Sequence, residues 1–343
     1  MDHSCISIVE RIIKNFFLIL RTKGIVALIF AIKSYILIAI YKKFFPSSFI
    51  KKRIFNYKMY LDPKDKGISR TLILFGHREL DHKKILELVL KKNMKIFDIG
   101  ANIGYYVLIE SNLVGNKGKI LAIEPVPENM KLLKKNLKLN NNRITKTIQA
   151  AVSGFSKTDS FIRSSHSNLG HLVSDKYESL IDIGKKLKHK DTKEFAPKIM
   201  YISELISKTF CPDFIRMDVE GSELGILNHL VSLKLKKYPI ICFETHTSSY
   251  SLSHKMTKRD SNISQMEDVL RKMFAKGYKI KLASSSSERG SNLLRNLGYH
   301  PAVKDIKTDD VKREIYKNLK EKDAINLICY KGGLRTVLMS CNK

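Results

Sequence analysis

The sequence predicts an α/β fold built on a mostly parallel sheet, and three observations carry that prediction. From residue 95 onward, short apolar runs alternate with amphipathic stretches of helical length. Such alternation means strand–helix–strand units, whose right-handed crossovers place helices on both faces of a sheet. The first run, 95–99, leads into a bare turn, "FDIGANIGYY" at 97–106. An acid, Glu124, stands directly after the next run, 119–123. Ligands of open α/β sheets bind at the carboxyl ends of the strands, so the turn and the acid also mark a site.

The elements follow in chain order. The first sixty residues hold eleven Lys/Arg against two acids, Asp2 and Glu10. Residues 5–23 are amphipathic, and 24–41, "GIVALIFAIKSYILIAIY", are apolar all round except Lys33 and Ser34. Eighteen helical residues reach about 27 Å, against a hydrocarbon core of about 30 Å. A lysine in mid-span costs about 2.5–3.5 kcal/mol. The segment therefore reads as a membrane-associated helix, lying on the surface or spanning once, with a helix packed on the α/β domain as the soluble alternative. No small-residue cleavage site follows it, which argues against a signal peptide. The basic cluster is denser on its C-terminal side, so a spanning helix would leave the rest of the chain in the cytoplasm. This gives a helical N-terminal segment, 1–56, and an α/β domain, 57–343.

Within that domain the strand candidates are 95–99, 119–123, 144–152, 213–218, 239–244, 279–282 and 325–330. The helices between them are expected at 103–114, 127–140, 221–236 and 263–276. Residues 153–200 and 283–324 break the alternation and read as polar insertions on one sheet edge, the second with a charged helix near 308–321. Five cysteines, none in a CxxC pair, read as reduced thiols and exclude a disulfide framework. The net charge of +29 points to an anionic partner, whether lipid headgroups, nucleic acid or glycan, or else reflects only a lysine-rich composition, since Lys is scattered over the whole length.

The glycine turn admits three nucleotide readings. A phosphate loop needs GxxxxGK[ST], which is absent. A dinucleotide turn needs GxGxxG, and here Asn102 and Tyr105 replace its second and third glycines. S-adenosylmethionine has no phosphate; it carries an ammonium, a sulfonium and a ribose. Asp98 is placed for the ammonium, the stretch Gly100, Ala101, Asn102 and Gly104 for close backbone approach, and Glu124 for both ribose hydroxyls.

At this point the chain resembles a known family. "FDIGANIGYYVL", "AIEPVPENMKLLKKNLKLNN", "AAVSG" and "FIRMDVEGSELGIL" are similar to FkbM-type class I methyltransferases, as are "LDPKDKGISRTLILFGHRE" before them and "CFETH" after. The resemblance covers about residues 57–250. It implies a Rossmann-like, seven-stranded sheet with the last strand antiparallel, S-adenosylmethionine as donor, and O-methylation of sugar, lipid or polyketide hydroxyls. It implies that Asp98, Gly100, Asn102 and Gly104 face the methionine part, that Glu124 binds the ribose, and that Ala151 lies near the adenine. One departure is local: where the family reads S/T-L-D, this chain has Tyr201-Ile202-Ser203.

Methyl transfer from a sulfonium asks the protein to place the acceptor and take its proton. Asp218, at the end of the fourth strand, and Glu220 are candidates for holding or deprotonating a hydroxyl. His246 is a candidate base, since its ordinary pKa lies near working pH. His77 and Glu79 are candidates from the N-terminal side. His166 and His171 lack an acid at ligand spacing, and no metal site is assigned. The expected acceptor is a hydroxyl of a sugar, glycan or lipid-linked glycan at an anionic membrane surface. An RNA ribose 2′-O-methyltransferase and a non-catalytic membrane scaffold are the alternatives. Nucleic acid is disfavoured because basic residues are not interleaved with aromatics and there is no Trp.

Overall fold

The structure, a computed structural model, describes residues 13, 16–17, 20, 25, 28–29, 32–154, 160–163, 170–173, 193–219, 222–245, 256–285, 315–331 and 334–341. These fall into two compact units, one up to Leu80 and one from Asp81 on.

The first unit holds a helix α1 (32–44), an antiparallel hairpin of β1 (Ile50–Ile54) and β2 (Tyr57–Leu61), and a helix α2 (Ile68–Phe75). Alternate hairpin residues Ile50, Ile54, Tyr57, Met59 and Leu61 are buried, the period-two pattern of a one-sided sheet. The composition shift at 56/57 falls in the turn of this hairpin. Both carboxylate oxygens of Asp65 cap the start of α2, accepting from the N–H groups of Gly67 and Ser69 at 2.8 Å each. On α1, Ile36, Ile40 and Phe44 are 54%, 42% and 63% exposed, an apolar face turned to solvent. Among the described residues, no helix is long and apolar enough to cross a membrane.

The second unit is a sheet with helices on both faces. Its strands are β3 (Lys95–Ile99), β4 (Lys119–Ile123), β5 (Thr145–Ile148), β11 (Phe214–Met217), β12 (Ile240–Glu244), β13 (Tyr278–Ser285), β14 (Ile315–Lys317) and β15 (Leu334–Cys341). Between β5 and β11 come β6 (Ala151–Val152) and β10 (Ile199–Met200), which pair in parallel, and a small antiparallel sheet of β7 (Ser160–Arg163), β8 (Gly170–Val173) and β9 (Lys193–Phe195). The helices are α3 (Leu80–Val89), α4 (Tyr105–Val114), α5 (Pro127–Leu139), α6 (Ile202–Lys208), α7 (Glu223–Ser232), α8 (Met256–Ala275) and α9 (Glu321–Ile325).

The main sheet runs β14-β13-β15-β12-β11-β3-β4-β5. β5, β4, β3, β11 and β12 are mutually parallel, and β15 inserts antiparallel between β12 and β13. The sheet contains seven strands with the last one antiparallel, as the resemblance implies, but that last strand is β15 and not the expected run 325–330. An eighth, β14, extends the edge beyond β13.

Four expectations are corrected. Residues 325–330 are not a strand: α9 and a π-helical turn (Asn326–Lys331) occupy them, and the last strand is β15. Ala324, Ile325, Ile328 and Cys329 are all buried, a helical spacing that one apolar run conceals. The run 144–152 divides into β5 and β6. The region 153–200 carries strands of its own. In 308–321, β14 stands where part of the charged helix was expected.

Alternate residues of the central strands face a single apolar core: Phe97 and Ile99, Leu121 and Ile123, Ile215 and Met217, Ile241 and Phe243. The residues between them face the opposite side. There Asp98, Arg216 and Cys242 stand in register across three adjacent strands, a polar row on a fully buried face.

Candidate active site

β3 ends at Ile99 and the chain turns at once. Gly100 takes φ +83° and Gly104 φ +89°, both in the left-handed region that favours glycine. A Cβ on Gly100 would lie 2.1 Å from the Asp218 carbonyl oxygen, so only glycine lets the turn pass the end of β11. Between them Asn102 is left-handed at φ +49° and accepts the Ile103 N–H on its own side-chain oxygen at 2.8 Å. Gly100 and Ala101 both donate to the Ile123 carbonyl, pinning the turn to β4.

Glu124 follows β4 and is buried. Its Oε2 accepts the Asn102 N–H at 2.8 Å; its Oε1 accepts the Val126 N–H at 3.0 Å and Asn129 Nδ2 at 3.2 Å. The carboxylate thus braces the turn after β3 and the start of α5. Each oxygen has two lone pairs, so among the described residues Oε2 keeps one for a further donor. Burial pushes this carboxyl up to about 7, against the three hydrogen bonds that favour its ionised form. Asn136 Nδ2 holds the Ile103 carbonyl at 2.9 Å, fixing the far end of the same turn.

Asp218 follows β11, with its N–H on the Ile99 carbonyl at 3.0 Å, and its side chain is 19% exposed. Arg216, two residues back, is 1% exposed. Its Nη1 donates to Asp98 Oδ1 at 2.9 Å and its Nη2 to Asp218 Oδ2 at 3.2 Å. Its guanidinium carbon lies 3.9 Å from the centre of the Tyr106 ring, a desolvated cation–π contact. Burial opposes the arginine's charge, but the carboxylates of Asp98 and Asp218 outweigh it and hold the guanidinium ionised. Burial raises the Asp98 carboxyl above its ordinary value, and the Arg216 pairing pulls the other way. Glu110, on α4, is fully buried with neither oxygen hydrogen-bonded among the described residues. Burial, then the nearby Asp98, drives its pKa well above the ordinary range.

The family model "Methyltransferase FkbM domain" matches residues 98–280, from Asp98 at the turn to the strand β13. The chain belongs to the FkbM methyltransferase family. It is a methyltransferase, and the donor that goes with the family is S-adenosylmethionine. Some solved structures are similar to this chain at low identity. An FkbM methyltransferase from Methylobacillus flagellatus KT is 17% identical, with 57% of this chain and 47% of that chain covered and a TM-score of 0.34. TYW2 from M. jannaschii, in complex with AdoMet, is 12% identical over 86% of this chain and 85% of that one, with a TM-score of 0.39. A precorrin-6y C5,15-methyltransferase from Geobacter metallireducens GS-15 is 17% identical over 62% and 79%, with a TM-score of 0.32. A search of curated proteins finds no match.

In this FkbM domain the structure brings Asp98, Gly100, Ala101, Asn102, Gly104, Glu124 and Asp218 to the carboxyl ends of three adjacent strands. Ala151, buried in β6, follows β5 at the same end. Glu220, Gly221, His166 and His246 lie outside the described residues. In the first unit Glu79 is buried at φ +48° and pairs with Arg78 at 2.5 Å, while His77 is half-buried. Among the described residues, no group of three or more His, Cys, Asp and Glu is placed to hold a metal ion.

Sequence reasoning missed Arg216, Glu110, Tyr106 and His82. A lone arginine in the middle of "FIRM" was the available signal, because a charge inside a central strand needs a buried partner. His82, on α3 and 1% exposed, packs against Tyr106 with ring centres 4.5 Å apart and the planes tilted by 41°, and meets Cys242 at 3.8 Å and Thr336 at 3.4 Å. Its Nδ1 is 3.9 Å from Glu244 Oε1. Nothing near residue 82 in the sequence announces that convergence.

Proposed function

We propose that this methyltransferase transfers the methyl group to an oxygen: a hydroxyl of a sugar, glycan or lipid-linked glycan at a membrane surface. The observation that carries the reading is Asp218. It is a carboxylate at the end of a central strand, backed by a buried arginine, partly open to solvent, and within backbone contact of the glycine turn.

The residues at the turn fit S-adenosylmethionine. The bare backbone at Gly100 and Gly104 admits a ligand without a Cβ in the way. Asp98 keeps one buried oxygen, Oδ2, without a hydrogen bond among the described residues, suited to a ligand cation. Glu124 keeps acceptor capacity for a ribose hydroxyl, and Ala151 presents a small apolar surface for the adenine. When bound, the cofactor supplies an already activated methyl group on a sulfonium. The chain's own work is then to bind the acceptor, orient it and take its proton. Asp218 accepts the hydroxyl's hydrogen bond and draws its proton away, with Glu220 and His246 as further candidates.

The membrane part of the reading rests on the apolar face of α1 and the basic residues beside it, Lys42, Lys43, Lys51 and Arg53. Each basic residue near an anionic surface contributes about 1 kcal/mol.

The test supplies labelled S-adenosylmethionine with a membrane lipid and glycan extract, and separately with total RNA. Label should enter the extract. Asp218→Asn should lower incorporation about 10²–10⁴-fold while the melting shift on S-adenosylhomocysteine persists. Label in RNA alone would replace the glycan reading by ribose methylation. The chain should also pellet with phosphatidylserine vesicles and lose that on removal of residues 1–50; unchanged pelleting would assign binding to the rest of the +29 surface.

A further inference from the structure

Arg216 is the largest fully buried side chain among the described residues. It stands in the middle of a central strand, where taking a guanidinium out of water costs several kcal/mol and an apolar residue of similar size would avoid that cost. Its placement therefore needs an account beyond stability.

The direction of its hydrogen bonds gives one. The two terminal nitrogens do not fork onto a single carboxylate. They divide, Nη1 to Asp98 after 2.9 Å and Nη2 to Asp218 after 3.2 Å, each acid belonging to a different strand. Glu110 is also fully buried and has neither oxygen hydrogen-bonded among the described residues, and Arg216 Nε likewise lacks a hydrogen bond there. Arg216 spends both of its terminal groups on Asp98 and Asp218, acids of two adjacent strands, with the centre of the Tyr106 ring 3.9 Å from its guanidinium carbon.

We propose that Arg216 is the positioning residue of the methyl transfer: one guanidinium holds the cofactor-side carboxylate of Asp98 and the acceptor-side carboxylate of Asp218 in fixed relation. The inference rests on the roles given to Asp98 and Asp218 above. Arg216 itself touches neither cofactor nor acceptor. It acts by removing the freedom of two carboxylates to swing, so that cofactor and hydroxyl are referred to the same rigid group. Lysine keeps the charge but offers one nitrogen at the end of a flexible stem, which cannot span both acids.

The test is a double-mutant cycle on the full chain, read by calorimetric titration with S-adenosylhomocysteine. Arg216→Lys and Asp98→Asn should each weaken binding about tenfold, and the double variant little more than either, because both break the same contact. Transfer at saturating cofactor reads the other half: Arg216→Lys should lower kcat about tenfold or more, and Asp218→Asn in that background should cost far less than it does alone. Additive losses in either cycle would overturn the proposal and leave Arg216 a structural ion pair. Should Arg216→Lys not fold, Arg216→Met with Asp98→Asn replaces the buried pair by neutral groups; it should fold and bind as Asp98→Asn does, and tighter binding than that would also overturn the proposal. A wild-type chain that takes up no S-adenosylhomocysteine would sink the cofactor roles together with the proposal, whereas additivity in a chain that binds it sinks the proposal alone.

Discussion

Alternate residues of the same strands give the central sheet two faces of opposite chemistry. On one face Phe97, Ile99, Ile215, Met217, Ile241 and Phe243 join a continuous apolar core with α6, α7 and α8. On the other, Asp98, Arg216 and Cys242 form a row in register, met by Tyr106 and Glu110 of α4 and by His82 of α3. The first face gains by removing area from water. The second gives up part of that gain, since each buried charge must be paired. The difference teaches a division of labour at a spacing of one residue: the apolar face holds the strands level, and the polar face sets the groups at their ends.

Three measurements test that division. The largest effect is expected where both faces meet the site. Gly100→Val would force a Cβ against the Asp218 carbonyl at a φ that valine rarely adopts. The melting shift with millimolar S-adenosylhomocysteine, about 2.7 kcal/mol for a hundredfold excess over Kd, should vanish. A retained shift would mean the turn is not the cofactor's cradle. Next, Phe243→Ala on the apolar face should cost about 3–5 kcal/mol in urea unfolding, with calorimetric affinity for S-adenosylhomocysteine unchanged in the molecules that remain folded. A matching loss of affinity would break the separation of faces.

The smallest effect is one of pH. In the folded chain the Glu124 carboxyl titrates near 7, against 4.5 when unfolded. Between those values the folded state holds a proton that the unfolded state has lost, so this group makes stability fall as pH rises from about 4.5 to 7. Ligand-free protein should therefore melt higher at pH 6 than at pH 8 through this group. The shift on adding S-adenosylhomocysteine should be larger at pH 8, where Glu124 is ionised for the ribose. Glu124→Gln should flatten both dependences relative to the wild type. If the variant keeps them, Asp98 and Glu110, also raised by burial, are responsible.

Much of this arrangement was legible in the sequence. The runs at 95–99 and 119–123 appear with the bounds expected, because each ends in a sharp change of chemistry: a glycine turn in one case, an acid and a proline in the other. The acids at strand ends were legible for the same reason. The C-terminal part was not. "INLICY" is an apolar run without a breaker, and such a run carries no period to tell strand from helix. Long-range pairings were invisible as well. Asp98 and Arg216 lie 118 residues apart, and only the strand order β11-β3 puts them in register. Glu110 sits in "YYVLIESNLV", where an acid on an exposed helix face would read the same way.

Arg216 also has a consequence for how this chain can diverge. A guanidinium shared between two acids ties positions 98, 216 and 218 into one unit of inheritance. A lineage that replaces the arginine by an apolar residue would leave Asp98 sealed in the sheet without a counter-charge, a loss of about 3–5 kcal/mol for a broken buried pair. Most single substitutions there are therefore dead ends, and the route out runs through paired changes. Among relatives of this chain the arginine and the acid at 98 should vanish together or not at all.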